Sequence, residues 1–240
     1  MVYNWLNYTQ SSFWPPTCLL CGAAGTAGLD LCPGCLVDLP INGRACVRCA
    51  LPLPLGAPPG SLCGSCQRRS PPYQTGTAPL KYEGVVQFLV TGLKFHNRMA
   101  HARLLGGLLT RSLGELATGE RPELILPVPL HPARQRARGF NQALEIVRGP
   151  ARRLGIALDC ECCIRIRPTS PQSGLDAKQR RRNLRGAFKL RKRPAADHVV
   201  LFDDVITTGN TVAELARVLK QSGVPRVDVW AVARTPDHNM

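Results

Sequence analysis

No run of about 18 consecutive apolar residues occurs anywhere in this 240-residue chain, which excludes a helical membrane span. The opening Met1-Val2-Tyr3-Asn4-Trp5-Leu6-Asn7-Tyr8 lacks a basic n-region and an apolar h-region, so we expect no secretory leader, a cytoplasmic location and no membrane insertion. Aromatic residues are scarce, at 5%, which argues against an extensive base-stacking surface. Acids are scarce as well: 16 Asp and Glu stand against 31 Lys and Arg, a formal charge of +15. That imbalance favours a polyanion such as nucleic acid, anionic lipid or a multiply phosphorylated small molecule. Two further absences narrow the field. There is no Gly-x-x-x-x-Gly-Lys nucleotide loop, and His96, His101, His131 and His198 form no ligand pair at a recognised spacing, so they read as structural.

Eleven cysteines are present, and eight of them form four Cys-x-x-Cys knuckles: Cys18/Cys21, Cys32/Cys35, Cys46/Cys49 and Cys63/Cys66. In a reducing compartment this pattern means metal rather than disulfides. A knuckle offers two sulfurs to one ion and zinc takes four soft ligands, so eight thiolates suggest two structural zinc ions. Sequential and interleaved pairings satisfy the same spacings. The segment from Thr17 to Pro72 is rich in Pro and Gly and has few periodic apolar positions, so metal must supply its folding free energy, on the order of 10 kcal/mol per site. Cys160, Cys162 and Cys163 lack a partner knuckle and read as packing residues.

Beyond the knuckles, strands alternate with helices. The sequence predicts a strand over 77–82, helices over 85–95 and 99–116, a buried strand over 123–128, and one long basic helix over 132–154 with a kink or break at Gly149-Pro150. A single strand over 157–165, a basic segment over 167–185, and strands over 187–190, 198–202 and 226–233, with a helix over 211–222, complete the reading. Val199-Val200-Leu201-Phe202 is apolar on both faces, as in a strand of a parallel sheet covered on two sides. The expected fold class is α/β, a mostly parallel sheet flanked by helices, preceded by a small zinc-ribbon module. Three regions follow: an N-terminal helix or leader segment over 1–16, a double zinc ribbon over 17–72, and the α/β domain over 73–240.

Ligands of such sheets bind beyond the carboxyl ends of the strands. Asp203-Asp204-Val205-Ile206-Thr207-Thr208-Gly209-Asn210-Thr211 falls there. Two carboxylates at the strand exit can accept hydrogen bonds from ribose 2'- and 3'-hydroxyls. Gly209 permits close backbone approach, and Thr207, Thr208 and Thr211 add hydroxyls to the amides of a helix N-terminus, a site for a phosphate dianion. The order resembles the phosphoribosyl pyrophosphate (PRPP) signature of type I phosphoribosyltransferases. From Arg165 to Arg193 there are eleven Lys or Arg and one acid, Asp176, too unbalanced for an ordinary solvated face.

The chain also carries Pro127-Val128-Pro129-Leu130, Arg134, Arg138-Gly139-Phe140-Asn141-Gln142-Ala143, Arg167-x-Thr169 with Gln172, Arg182-x-x-Arg185 and Ala187-Phe188. With the four knuckles, this combination resembles the ComF/GntX family of competence-associated phosphoribosyltransferase-like proteins. The resemblance implies the type I phosphoribosyltransferase fold for the α/β domain, a pyrophosphate loop at Pro127 to Leu130, and a basic hood drawing on Arg134, Arg138, Lys178, Arg182 and Arg185. It implies Asp203 and Asp204 as the residues at the reacting ribose, with magnesium on the pyrophosphate. Its expected partners are PRPP or another phosphoribosyl ligand, single-stranded DNA taken up in natural transformation, and proteins of an uptake apparatus. An active phosphoribosyltransferase with an unspecified acceptor is the alternative. Lys94, in Leu93-Lys94-Phe95-His96, reads as a surface lysine as readily as a functional one.

Overall fold

The protein is described from a computed structural model, covering residues 16–26, 28–114, 121–167 and 184–236. Lys178 and Arg182, with Thr169, Gln172 and the leader, lie outside the described residues. None of the helices described is long and apolar enough to cross a membrane.

Six strands form one sheet, in the spatial order β1-β8-β7-β3-β4 with β2 also on β8, and every pairing in it is parallel. Here β1 is Gly76–Thr77, β2 Leu80–Lys81, β3 Leu124–Pro127, β4 Ala157–Leu158, β7 His198–Ile206 and β8 Arg226–Arg234. The alternation of side chains along the strands fills two cores. Val200 and Phe202 of β7 point to one face, covered by α3 (Gly84–His96), α4 (Met99–Leu113) and α6 (Gln142–Leu154). Val199 and Leu201 point to the other, covered by α7 (Asn210–Gln221). This is the α/β architecture expected from strands apolar on both sides.

The region from Thr17 to Pro72 holds two copies of one motif. In each, a knuckle sits inside a tight antiparallel turn, bridged Thr17 to Ala24 and Ala45 to Pro52. The other knuckle opens a single helical turn, Cys32 capping α1 (Pro33–Val37) and Cys63 preceding α2 (Gly64–Arg68). The first ribbon has no core of its own: Cys18, Leu31 and Leu39 join the α3/α4/α6 core. The second keeps a small cluster of Cys46, Leu51, Cys63 and Cys66.

Several local expectations require correction. The basic helix over 132–154 is two helices, α5 (Pro132–Arg138) and α6. Gly139 ends the first in the left-handed region at φ 85°, and Asn141 starts the second by accepting a hydrogen bond from the Ala143 amide at 3.0 Å. Conversely, α6 runs on through Pro150 without a break. Proline leaves the Ile146 carbonyl without its usual donor. Gly106 of α4 packs against that carbonyl so closely that a Cβ would stand 2.5 Å from it. Gly106→Ala should therefore push α4 off α6 and cost about 1–3 kcal/mol, outweighing alanine's better helix propensity. Calorimetry should show a fall of several degrees in Tm; an unchanged Tm would refute the close crossing.

The strand expected over 157–165 is divided between two sheets. β4 closes the edge of the main sheet, whereas β5 (Cys163–Arg165) pairs antiparallel with β6 (Phe188–Leu190) as a separate two-stranded sheet packed on α7. The strand over 77–82 is likewise two short pieces, β1 and β2. Of the three unpaired cysteines, Cys162 and Cys163 pack in the α7-side core, but Cys160 is exposed.

Candidate phosphoribosyl site and zinc ribbons

β7 does not stop before its acids: it continues through Asp203 and Asp204 to Ile206, and Gly209 then turns the chain at φ 75° into α7. Gly209 has no side chain with which to cap α7, and the Asn210 amide meets the Thr208 hydroxyl only at the long distance of 3.5 Å, so this helix start is a place where an anion can be received. Thr207 and Thr208 are exposed beside it. Pro127 lies in register with Phe202, which sets the loop from Pro127 to Leu130 next to the two acids. Asn141 fixes that loop by donating to the Val128 carbonyl at 3.0 Å.

Asp204 is almost wholly buried and forms an ion pair with Lys94 of α3. Burial alone would lower the lysine, but the Asp204 carboxylate, with Asp203 beyond it, outweighs burial and raises it above its ordinary range. The other Asp204 oxygen accepts from Gln142 Nε2 at 3.4 Å, and Gln142 in turn accepts from Arg138. Asp203 is pushed well above the usual carboxylate range, first by burial and then by the adjacent Asp204, with Lys94 opposing both. Lys94 thus acts on both carboxylates. The pair has room, electrostatically, for a second positive group or for hydroxyl donors.

Lys94 is the residue the sequence least disclosed, since a lone lysine in an amphipathic helix is usually a solvated one. Arg165 was likewise hidden in a run of basic residues. It lies on β5, buried, with its guanidinium over the Phe188 ring at 5.6 Å and within the electrostatic reach of Asp203 and Arg134. Arg134 is exposed on α5, and Arg138 is partly buried behind it. Arg185 is exposed at the start of the β6 limb, where it acts on Glu214 of α7. Three of the four histidines make structural contacts: His101 meets the Leu89 carbonyl, His198 meets Asp228, and His131 caps α5, whereas His96 is exposed.

The cysteines assemble sequentially. The Sγ atoms of Cys18, Cys21, Cys32 and Cys35 lie within 4.8 Å of one another, as do those of Cys46, Cys49, Cys63 and Cys66. Cys21 and Cys32 stand 3.6 Å apart, as do Cys49 and Cys63, close to the roughly 3.8 Å edge of a tetrahedron of zinc–sulfur bonds of about 2.3 Å. In each group burial raises the first thiol, but backbone amides donated to its sulfur outweigh it, holding Cys18 at about 6 and Cys46 at about 7. Cys21, Cys35, Cys49 and Cys66 are driven up, Cys49 to about 12 by burial and the charges of Cys46 and Cys63. Four thiolates therefore coexist only around a cation, and both groups fit structural zinc. All eleven cysteines are free thiols.

Comparison with known proteins agrees with both halves of the chain. Residues 10–73 match the double zinc ribbon domain family. The DNA utilization protein YhgH of Salmonella typhimurium is 36% identical over 225 residues, covering 92% of this chain and 98% of the relative. Competence protein F of Haemophilus influenzae is 33% identical over 230 residues, covering 93% and 99%. Among solved structures, a purine phosphoribosyltransferase from Pyrococcus horikoshii aligns with 55% of this chain and 80% of its own at 17% identity and a TM-score of 0.33. A hypoxanthine phosphoribosyltransferase from Staphylococcus aureus aligns with 55% and 73% at 10% identity and 0.36. With a third of its residues shared along almost the full length of these curated relatives, the chain belongs to the ComF/GntX family that includes YhgH and competence protein F.

Proposed function

We propose that this protein binds PRPP, or a phosphoribosyl group of another ligand, at the junction of β7 and α7, and that it handles single-stranded DNA during natural transformation from the cytoplasm. The observation that carries the first part is the pairing of two adjacent carboxylates, one neutralised by Lys94, with a helix start after Gly209 that carries exposed threonines. In this reading Asp203 and Asp204 take the ribose hydroxyls, and Thr207, Thr208, Gly209, Asn210 and Thr211 take the 5'-phosphate. The loop from Pro127 to Leu130 faces the pyrophosphate, with Arg134, Arg138 and Arg165 as its basic surroundings. Magnesium, carried in with the pyrophosphate, would supply further positive charge beside Asp203.

Transfer of the phosphoribosyl group is the second reading, and the Arg165 guanidinium near Asp203 favours it, since departing pyrophosphate needs positive charge on both sides. Release of pyrophosphate from PRPP, magnesium and a broad panel of acceptors tests it: release above background supports transfer, and none leaves a binding protein.

The DNA part draws support from the names of the relatives, from the charge of +15, and from one surface. On α3, Phe88 is 48% and Phe95 69% exposed, one after the other along the helix. The Arg98 guanidinium lies 5.7 Å from the Phe88 ring and that of Arg138 lies 5.9 Å from the Phe95 ring. Rings flanked by guanidinium groups suit bases and phosphates of a single strand. Phe88→Ala and Phe95→Ala should each weaken binding of a labelled oligonucleotide by about 1–3 kcal/mol without changing its salt slope. Arg98→Ala should instead flatten that slope by about one unit. Equal binding by wild type and the double phenylalanine variant in fluorescence anisotropy would remove this surface from the account.

A further inference from the structure

The last residue of β8, Arg234, is 7% exposed and joins three parts of the molecule. Its Nη1 donates to the Ile206 carbonyl at 3.1 Å, to the Thr235 carbonyl at 3.0 Å, and to the carbonyl of Thr207, the first residue of the phosphate loop. Its Nε donates in the opposite direction, to the carbonyl of Cys49 at 3.2 Å. Cys49 belongs to the second cysteine group. A guanidinium presents its donors in a rigid planar fork, so the loop and the knuckle are held at a fixed separation by one side chain. Zinc with four thiolates carries net negative charge, which stabilises a buried guanidinium whose described acceptors are neutral carbonyls.

The contact is reinforced on either side. Tyr73, buried next to the second ribbon, puts its hydroxyl 3.8 Å from where a Cβ at Gly209 would stand, and its own carbonyl accepts from Arg48 at 3.0 Å. Gly76 of β1 lies so tightly under the Cys46–Cys49 knuckle that a Cβ there would stand 2.9 Å from the Arg48 carbonyl. The first ribbon has a different setting, packed through Leu31 and Leu39 into the α3/α4/α6 core.

We propose that Arg234 is a positioning residue that couples the second zinc site, Cys46, Cys49, Cys63 and Cys66, to the phosphate loop after β7, so that zinc retention there and phosphoribosyl binding reinforce each other. The inference rests on the reading of that loop as a phosphate cradle. Holding the Thr207 carbonyl fixes the plane of the peptide that leads into Thr208, and with it the aim of the amides at the start of α7. Linkage is reciprocal: whatever zinc adds to ligand affinity, ligand adds to zinc affinity at that site and not at the other.

The test uses the full-length, two-zinc protein and a chromogenic chelator, with and without PRPP and magnesium. Expected is that PRPP makes one zinc equivalent harder to extract, by roughly 5- to 150-fold, and leaves the other unchanged. Arg234→Lys, which keeps the charge but loses the fork, should still bind two zinc ions, bind PRPP more weakly and lose the protection. Gly76→Ala, which lifts the knuckle without touching a ligand of either site, should act in the same direction. A ligand-free arm separates this proposal from the reading beneath it: removing the second zinc should speed amide exchange across Val205 to Asn210. If PRPP fails to bind yet exchange accelerates, the coupling stands and the cradle reading falls. If PRPP binds while both zinc ions leave as before, or Arg234→Lys binds PRPP like wild type, the coupling is overturned.

Discussion

Asp204→Asn should lower affinity for PRPP at least 100-fold and also destabilise the protein, because it leaves the Lys94 ammonium facing a neutral amide. Lys94→Met should be the more damaging of the two to the fold, since Asp204 is 3% exposed and would be left as a buried, unpaired carboxylate. Removing one partner of a buried pair costs about 3–5 kcal/mol, whereas replacing both by neutral groups is often close to harmless. The double variant Lys94→Met/Asp204→Asn should therefore regain much of the stability lost by Lys94→Met, yet still fail to bind PRPP. Urea unfolding and calorimetric titration on the four proteins read the two quantities separately. Recovery of binding together with stability in the double variant would mean that the pair is structural and not part of a ligand site.

Asp203 adds a pH dependence whose sign is fixed by its surroundings. Burial and the neighbouring Asp204 keep its carboxyl protonated to higher pH in the folded chain than in the unfolded one. That contribution to stability is present below the ordinary aspartate value of about 3.9 and is lost as pH rises toward the raised folded value. A magnesium-bearing ligand favours the ionised form and should reverse the trend, so affinity for PRPP with magnesium should increase over the same window. Asp203→Asn should abolish both slopes.

The second large effect concerns zinc. Elemental analysis should return two equivalents per chain, and removing either should cost on the order of 10 kcal/mol of the folding free energy of its ribbon. The consequences should differ between the sites. Cys18→Ser should disturb the main core, because Cys18, Leu31 and Leu39 are part of it, and should lower the global Tm. Cys66→Ser should act more locally, on the small cluster of Cys46, Leu51 and Cys63. One equivalent of zinc in the wild-type protein, or equal loss of Tm from both variants, would contradict the account of two separately seated sites.

The parts of this molecule that could be read from its sequence are those whose chemistry is compressed into a short, ordered string. Four Cys-x-x-Cys knuckles announce metal wherever they fold, and an apolar strand followed by Asp-Asp and Thr-Thr-Gly announces a strand-to-helix turn at the carboxyl end of a parallel sheet. What could not be read depends on partners far apart in the chain. Lys94 becomes half of an ion pair only because α3 packs beside the end of β7, 110 residues later. Arg234 looks like the basic end of a strand until the second ribbon folds back to present the Cys49 carbonyl. The pairing of the knuckles was open for the same reason, since spacing constrains a turn and not its neighbour. The break between α5 and α6 escaped the sequence because it depends on Gly139 turning left-handed to end the first helix and on Asn141, tied to the Val128 carbonyl, starting the second. At Pro150 the error ran the other way: the helix tolerates the proline because Gly106 fits against the carbonyl it frees.

The central reading, and with it any transfer, presupposes one event at the β7–α7 junction. Titrating PRPP with magnesium into the zinc-replete protein by calorimetry tests it directly. The account predicts a single saturable site per chain, lost in Asp203→Asn and Asp204→Asn proteins that retain both zinc ions. No saturable heat from a folded, two-zinc wild-type protein, or undiminished binding by those variants, would contradict it.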